Sequence, residues 1–558
     1  MRGRNRPDFT DLGAPLRTHD PLLPPPALWY PAPVPCPTPP VGIQDNPGSS
    51  NNIGSWTARQ AALAGERLAV SDADRQLDYR AFDDRCARLA AVLLRAGVGR
   101  GDRVALLLGN RSAFLEGVFA AARIGALSVP VNARLAPPEI ARLLDDCTPR
   151  ALLFERALEA TAAAAYGGAR HKPAFQLPVG GEADPYECAL ATESPAAEIE
   201  PVAPDDAMMI LYTSGTTGVP KGAVLPHRKT LFNSLNAVQF FQVSDADRVA
   251  IALPLFHSFG LNILALPVLY AGGAVFLEPR FEAERLWKTV GARGITYFGA
   301  VPTMFQALLE ALRAAPPGAF ELGSLRFLFS AGAAIPAELI RAFEGHGLVV
   351  KQGFGQTETS ILCCLDARDA LRKAGSVGRP VRHAEVRLVT QHSVASPSAD
   401  WVDVARGEPG EIVVRGPITM TGYWGRPEAT AETMRDGWVR TGDLGTMDDE
   451  GFITLVGRAR DLYISGGENV YPAEVEAAYA AHPKIREIAV VGVPDLRWGE
   501  VGEAHVVPEP GARLDPGALQ AWGRERLASF KVPQHWVVEI RLPRTDTGKV
   551  QKHLLARR

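Results

Sequence analysis

Apolar positions recur along this chain in two rhythms. In "YRAFDDRCARLAAVLLRAGV" (79–98) they fall three and four residues apart, which predicts a helix, and Gly97 stands where a helix cap belongs. "DRVALLLGN" (102–110) is a short continuous apolar run that predicts a strand. "AFLEGVFAAARIGA" (113–126) returns to helical spacing, and "LSVPVN" (127–132) predicts another strand. The alternation continues through "ALLF", "AMMILY", "AVFLEP" and "LRFLFSAG", with no internal repeat of fixed period. It predicts layered α/β architecture. The most apolar window, Phe259 to Leu277, is broken by Asn262, Pro267 and a Gly-Gly pair. It reads as a buried helix, a turn and a strand, not as a membrane span.

The two ends depart from this pattern. Residues 21–40, "PLLPPPALWYPAPVPCPTPP", are half proline and are followed by "DNPGSSNN". Neither stretch sustains a helix or a central strand, so residues 1–52 are expected to be an extended or disordered leader. A second shift falls at "GRARDLYISGGENVYPAEVE" (457–476). Beyond it come a helix, two strands, a helix and a strand, enough for a small α+β domain on a short connection. The expected division is a leader (1–52), a large α/β domain (53–459) and a small C-terminal domain (460–558). A joint this short predicts a hinge.

Composition narrows the class. The chain has 558 residues, 46% hydrophobic and 22% charged, with a net charge of −3. That balance suits a globular protein and gives no electrostatic reason to expect nucleic acid as a partner. The basic start has no apolar core behind it, so it does not read as a secretory signal. The six cysteines form no CxxC pair and no metal-ligand spacing, as in a reduced cytoplasmic protein.

The chemistry begins with "LYTSGTTGVPKG" (211–222). An apolar strand runs into Thr213, Ser214, Gly215, Thr216, Thr217 and Gly218, and Lys221 follows. Glycines let successive N–H groups converge on an anion, hydroxyls add donors, and lysine supplies a compact charge. A Walker A loop would need Ser or Thr after the lysine and then a helix. Here Gly222 and an apolar run follow, so the loop reads as a phosphate cradle of another kind. A polar turn between two strands is the plainer alternative.

"YTSGTTGVPKG" resembles the signature of the adenylate-forming superfamily: acyl- and aryl-CoA synthetases, adenylation domains and luciferases. "PLFHSFG" (254–260), "SAGAAIP" (330–336), "GFGQTE" (353–358), "GYWGRPEAT" (422–430), "RTGDLG" (440–445) and "PRTDTGKVQK" (543–552) are similar to its other motifs, in order. The similarity runs from about residue 55 to the end. It implies a large layered α/β N-terminal domain and a small mobile α+β C-terminal domain. The implied reaction has two steps. A carboxylate attacks the α-phosphate of ATP, giving acyl-AMP and pyrophosphate; a thiol, usually that of CoA, then takes the acyl group.

The resemblance also assigns residues. Thr213 to Lys221 hold the β- and γ-phosphates, Thr357 contacts the α-phosphate, and Glu358 ligates Mg²⁺ with Thr213 near the metal. Phe354, next to Gly353, stacks on adenine opposite the backbone of Gly332 and Ala333. Asp443 bridges the ribose hydroxyls, and Arg458 adds a fixed charge near ribose and phosphate. Lys549 is the catalytic lysine that brings two anions together, so the small domain must close over the site. Arg460 is the pivot, where the family usually has Asp or Lys. Rotation there exchanges Lys549 for "SGGEN", whose Gly466 and Gly467 let a pantetheine arm pass.

For the acid, "PLFHSFG" lacks the aspartate that grips an amino-acid ammonium in adenylation domains. An α-amino acid is therefore not expected. His257, Phe259, Gly299 and Ala300 are the expected acyl-pocket residues, with His257 at its edge. Over its length the chain looks most like bacterial medium- or long-chain fatty acyl-CoA synthetases, on "FGAVPTMFQALL" (298–309) and "DALRKAGSVGRP" (369–380). An aryl-CoA ligase, or a ligase loading an acyl carrier protein, shares nearly all of these motifs; a non-catalytic nucleotide sensor has no use for Lys549. A homodimer and peripheral membrane contact stay open.

Overall fold

The computed structural model describes residues 51–556, except Ala197, 214–219, 333–334, 466–467, 546–547 and Lys549. The proline-rich leader therefore lies outside the described residues. Ten elements position the site. They are strands β1 (Ala207–Thr213) and β2 (Lys221–Pro226), helix α1 (His227–Phe241), strand β3 (Tyr297–Ala300), helix α2 (Pro302–Ala314), and strands β4 (Val350–Gln356), β5 (Ser360–Leu365), β6 (Gly422–Tyr423), β7 (Trp438–Met447) and β8 (Ile453–Arg458).

The predicted alternation is present from its first helix onward. Tyr79–Arg95 is capped by Asp78, whose carboxylate accepts from the Ala81 N–H, and the chain turns out of it at Gly97 with φ +79°. The strands that follow pair in parallel: Arg103–Leu107 lies between Leu127–Pro130 and Ala151–Glu155. This seven-stranded sheet continues through β1 and β2 and ends on β6, which returns from 200 residues further along the chain. A second, 14-stranded sheet carries β3, β4, β5, β7 and β8. A continuous core joins helices such as Tyr79–Arg95 to strands of both sheets, with Phe82, Phe119, Met209, Phe241 and Phe329 all fully buried.

The C-terminal strands form a third, five-stranded sheet with its own core of Tyr463, Val475, Tyr479, Val490 and Val506. Four residues, 459–462, connect β8 to Tyr463–Ser465, and Arg460 lies among them. Among the described residues, no helix is long and apolar enough to cross a membrane, and the five described cysteines are free.

Candidate active site

The phosphate loop joins two antiparallel strands: β1 and β2 pair with Thr213 opposite Lys221. A helix does not follow the lysine, as the sequence implied; α1 starts only after the six residues of β2. Ser214, Gly215, Thr216, Thr217 and Gly218 lie outside the described residues. Thr213 Oγ1 donates to the Lys221 carbonyl at 3.3 Å, which ties the loop's two ends.

β4 and β5 form a second hairpin, whose three-residue loop is Thr357, Glu358 and Thr359. Gly355 is required beneath it, since a Cβ there would lie 1.9 Å from the Ser360 carbonyl oxygen. Ser360 adopts φ +58°, the left-handed conformation that three-residue hairpins demand after the turn. Its hydroxyl accepts a hydrogen bond from the ammonium of Lys229, a fully buried lysine on α1. Burial pushes the Lys229 pKa down to about 7, and the nearby Glu358 charge pulls the other way.

Glu358 also meets Tyr423 of β6, whose hydroxyl donates to Oε1 at 2.8 Å. Lys221 Nζ lies 5.3 Å from the centre of the same ring. That hydrogen bond engages one of the two carboxylate oxygens. Among the described residues no cluster of three or more His, Cys, Asp or Glu could hold a metal by itself. One carboxylate and a threonine hydroxyl fit Mg²⁺, which takes few protein oxygens and fills its shell with water and phosphate.

The nucleoside residues gather on β7 and β8, where Asp443 and Arg458 are directly opposed. Arg458 Nε lies 2.7 Å from Asp443 Oδ1, and Gln356 Nε2 donates to Oδ2 at 2.5 Å. Gln356 also donates to the Thr441 carbonyl at 2.8 Å. Both oxygens of this buried carboxylate are thus engaged by side chains of its own sheet. Phe354 is half-buried against a cluster that includes Leu362 and Cys363. Gly353 is needed there because a Cβ would sit 2.5 Å from Phe329 Cζ. Gly332 turns at φ +88° after its strand, while Ala333 lies outside the described residues.

The acid end is built by packing. The Phe259–Ala265 segment is a π-helix in which the Leu266 N–H donates to the Leu261 carbonyl. The next carbonyl, of Asn262, would need the N–H of Pro267, which does not exist. Asn233 of α1 supplies the donor instead, at 2.6 Å. That register places the Phe259 ring against Gly299, where a Cβ would lie 2.9 Å from Cε2, and edge-on to Phe329 at 5.7 Å between centres. His257 is half-buried beside Phe256, with ring centres 4.6 Å apart. Ala300 does not join them. Strand alternation turns its side chain to the other face, into a separate core with Phe298, Trp287 and Phe305.

Gly466, Gly467 and Lys549 lie outside the described residues, but their neighbours are placed. Ser465 pairs with Glu468 around the two glycines. A Cβ on Gly548 would be 3.6 Å from Thr303 Oγ1 at the start of α2, so Gly548 lies beside the large domain near β3. Sequence reasoning passed over Gln356, Tyr423 and Lys229. The first two stand inside quoted motifs; Lys229 gave no signal, since a lysine on a helix normally faces water.

The profile of the AMP-binding enzyme family matches residues 57–424, and that of the AMP-binding enzyme C-terminal domain matches residues 474–549. A feruloyl-CoA synthase of an Amycolatopsis species is 42% identical over 91% of this chain and 99% of its own. The indoleacetate–CoA ligase of Aromatoleum aromaticum is 39% identical over 90% and 96%. A long-chain-fatty-acid–CoA ligase of Mycobacterium tuberculosis is 34% identical over 90% and 98%. Among solved structures, ATP-bound MatB from Rhodopseudomonas palustris is similar, with TM-score 0.82 and 31% identity over 90% of this chain and 98% of that one. With both profiles matched and relatives of 42% and 39% identity spanning nine-tenths of the chain, the chain belongs to the AMP-binding enzyme family, the adenylate-forming enzymes, and is an AMP-forming acid–thiol ligase.

Proposed function

We propose that this ligase activates a carboxylic acid bearing an aromatic ring, releasing pyrophosphate, and passes the acyl group from the acyl-adenylate to CoA. The observation that carries this reading is the Phe259 ring laid on Gly299 and edge-on to Phe329. Flat aromatic walls backed by a filled core suit a rigid ring, and each ring–ring contact adds about 0.5–1.5 kcal/mol beyond area burial. The relatives named for feruloyl and indoleacetate substrates, at 42% and 39% identity, support the same choice over the fatty-acid relative at 34%.

The fatty-acid preference read from 298–309 and 369–380 therefore gives way, for a physical reason. Ala300 and Phe298 are core, and Arg372 and Lys373 are framework residues paired with Asp448 and Glu450. Similarity at such positions reports the scaffold, not the pocket.

In this reading Lys221 and the loop from Thr213 cradle the β- and γ-phosphates, and Thr357 meets the α-phosphate. Glu358 and Thr213 hold Mg²⁺, which supplies charge neutralisation on the triphosphate. Asp443 takes the ribose hydroxyls, Arg458 braces Asp443, and Phe354 flanks adenine with Gly332 and Ala333. Lys549 offsets the repulsion between carboxylate and α-phosphate. Rotation at Arg460 then brings Gly466 and Gly467 to the pantetheine arm.

The test is pyrophosphate release and acyl-CoA formation across ferulate, cinnamate, indole-3-acetate, benzoate and fatty acids from hexanoate to palmitate. Turnover of the ring acids at least tenfold above the fatty acids is expected. A preference for palmitate would overturn the reading, and adenylate that accumulates without transfer to CoA would move the acceptor to a carrier protein.

A further inference from the structure

Residues 420–424 are tied to both phosphate-facing hairpins at once. At one end the Met420 N–H donates to the Glu358 carbonyl at 2.8 Å; at the other the Trp424 N–H donates to the Gly222 carbonyl at 2.8 Å. Between them the Thr421 N–H donates to the Val224 carbonyl at 3.0 Å. Glu358 sits on a hairpin loop of the 14-stranded sheet and Gly222 on a strand of the seven-stranded one, so this short segment cross-ties two sheets.

The Tyr423 side chain repeats the link, with its hydroxyl on Glu358 and its ring beside Lys221. Its own place is fixed. The Tyr423 N–H donates to Thr430 Oγ1 at 2.9 Å. Gly422, at φ +150°, runs so close to Thr430 that a Cβ would lie 2.9 Å from Cγ2.

We propose that Tyr423 is a positioning residue for adenylation, a spacer that holds the Glu358 carboxylate and the Lys221 ammonium apart while fixing each toward one triphosphate. The proposal rests on the reading of Glu358 as the Mg²⁺ ligand. Two opposite charges on neighbouring loops would otherwise pair with each other and be lost to the ligand. The Tyr423 side chain contacts both: its face attracts the ammonium, and its hydroxyl occupies one carboxylate oxygen.

Calorimetric titration of ATP, with and without Mg²⁺, tests this on the full-length protein, Tyr423→Phe, Glu358→Gln and the double variant. The readout is the ratio of the two dissociation constants. Tyr423→Phe keeps the ring and should cut the Mg²⁺-dependent gain about tenfold. Glu358→Gln should abolish the gain, with no further loss in the double variant. A merely structural role weakens both constants equally and leaves the ratio alone. That outcome, or an additive loss in the double variant, or wild-type binding indifferent to Mg²⁺, would overturn the proposal. No acid enters the titration, so a failed acid panel and a failed spacer are told apart.

Discussion

The proposed phosphate and acid ends of the site are built by opposite means. At the phosphate end, polar side chains far apart in the chain bind one another: Gln356 to Asp443 across 87 residues, within one sheet, and Tyr423 to Glu358 across 65, between two. At the proposed acid end, shape is set by what is missing, at Gly299, and by the Phe259 ring and the Leu264 side chain that fill the gap. Polar cross-links specify atoms and fail when a donor is lost. Packed walls specify volume and adjust when it changes. The phosphate end should therefore govern whether any acid reacts, and the acid end which one does.

The strongest way to break this contrast is Lys549→Ala. It should lower ATP–pyrophosphate exchange by about 10²–10³-fold or more for every acid alike, and exchange that survives with one class of acid would place the lysine at the wrong end. Next comes Asp443→Asn. Weakening a charged hydrogen-bond partner should raise the KM for ATP by about tenfold to 100-fold, with the ranking of acids unchanged; a changed ranking sinks the division of labour. Gly299→Val is the mirror experiment. Its added carbons collide with Phe259 and Leu264, so kcat/KM for ring acids should fall about 10- to 100-fold, while calorimetry shows ATP binding as before.

The smallest effect concerns the scaffold shared by both ends. His227, at the start of α1, is buried and accepts from the Ile53 N–H at 3.2 Å. Burial pushes its pKa down to about 4, against an ordinary 6.5. The folded state therefore binds fewer protons than the unfolded chain between these values. Its stabilising contribution is whole above pH 6.5 and is lost as pH falls toward 4. Thermal melts from pH 7 to 4 should show that slope, and His227→Asn should flatten it; an unchanged slope would assign the acid sensitivity elsewhere.

How much was legible follows the same divide. Strands and helices announced themselves through spacing, and motif residues such as Asp443 and Arg458 met as a cross-strand pair. Tyr423 escaped because its partner lies on another sheet, and nothing in "GYWGRPEAT" says which strand that segment will join. Lys229 escaped because burial of a helical lysine depends on what covers the helix. Ala300 shares the apolar segment that points to a pocket, yet its side chain belongs to a separate core. In a strand, neighbours face opposite ways, and one position decides between pocket and core.

The two-residue strand β6 has an effect beyond the cleft. It covers the outer edge of β2 with a segment too short to template another chain, and at the far side of the same sheet the edge strand Phe175–Val179 carries Pro178. Both margins are thus blunted against strand addition, one by brevity and the other by a missing N–H. A second copy of this protein would find no long backbone ladder to extend at either margin of this sheet.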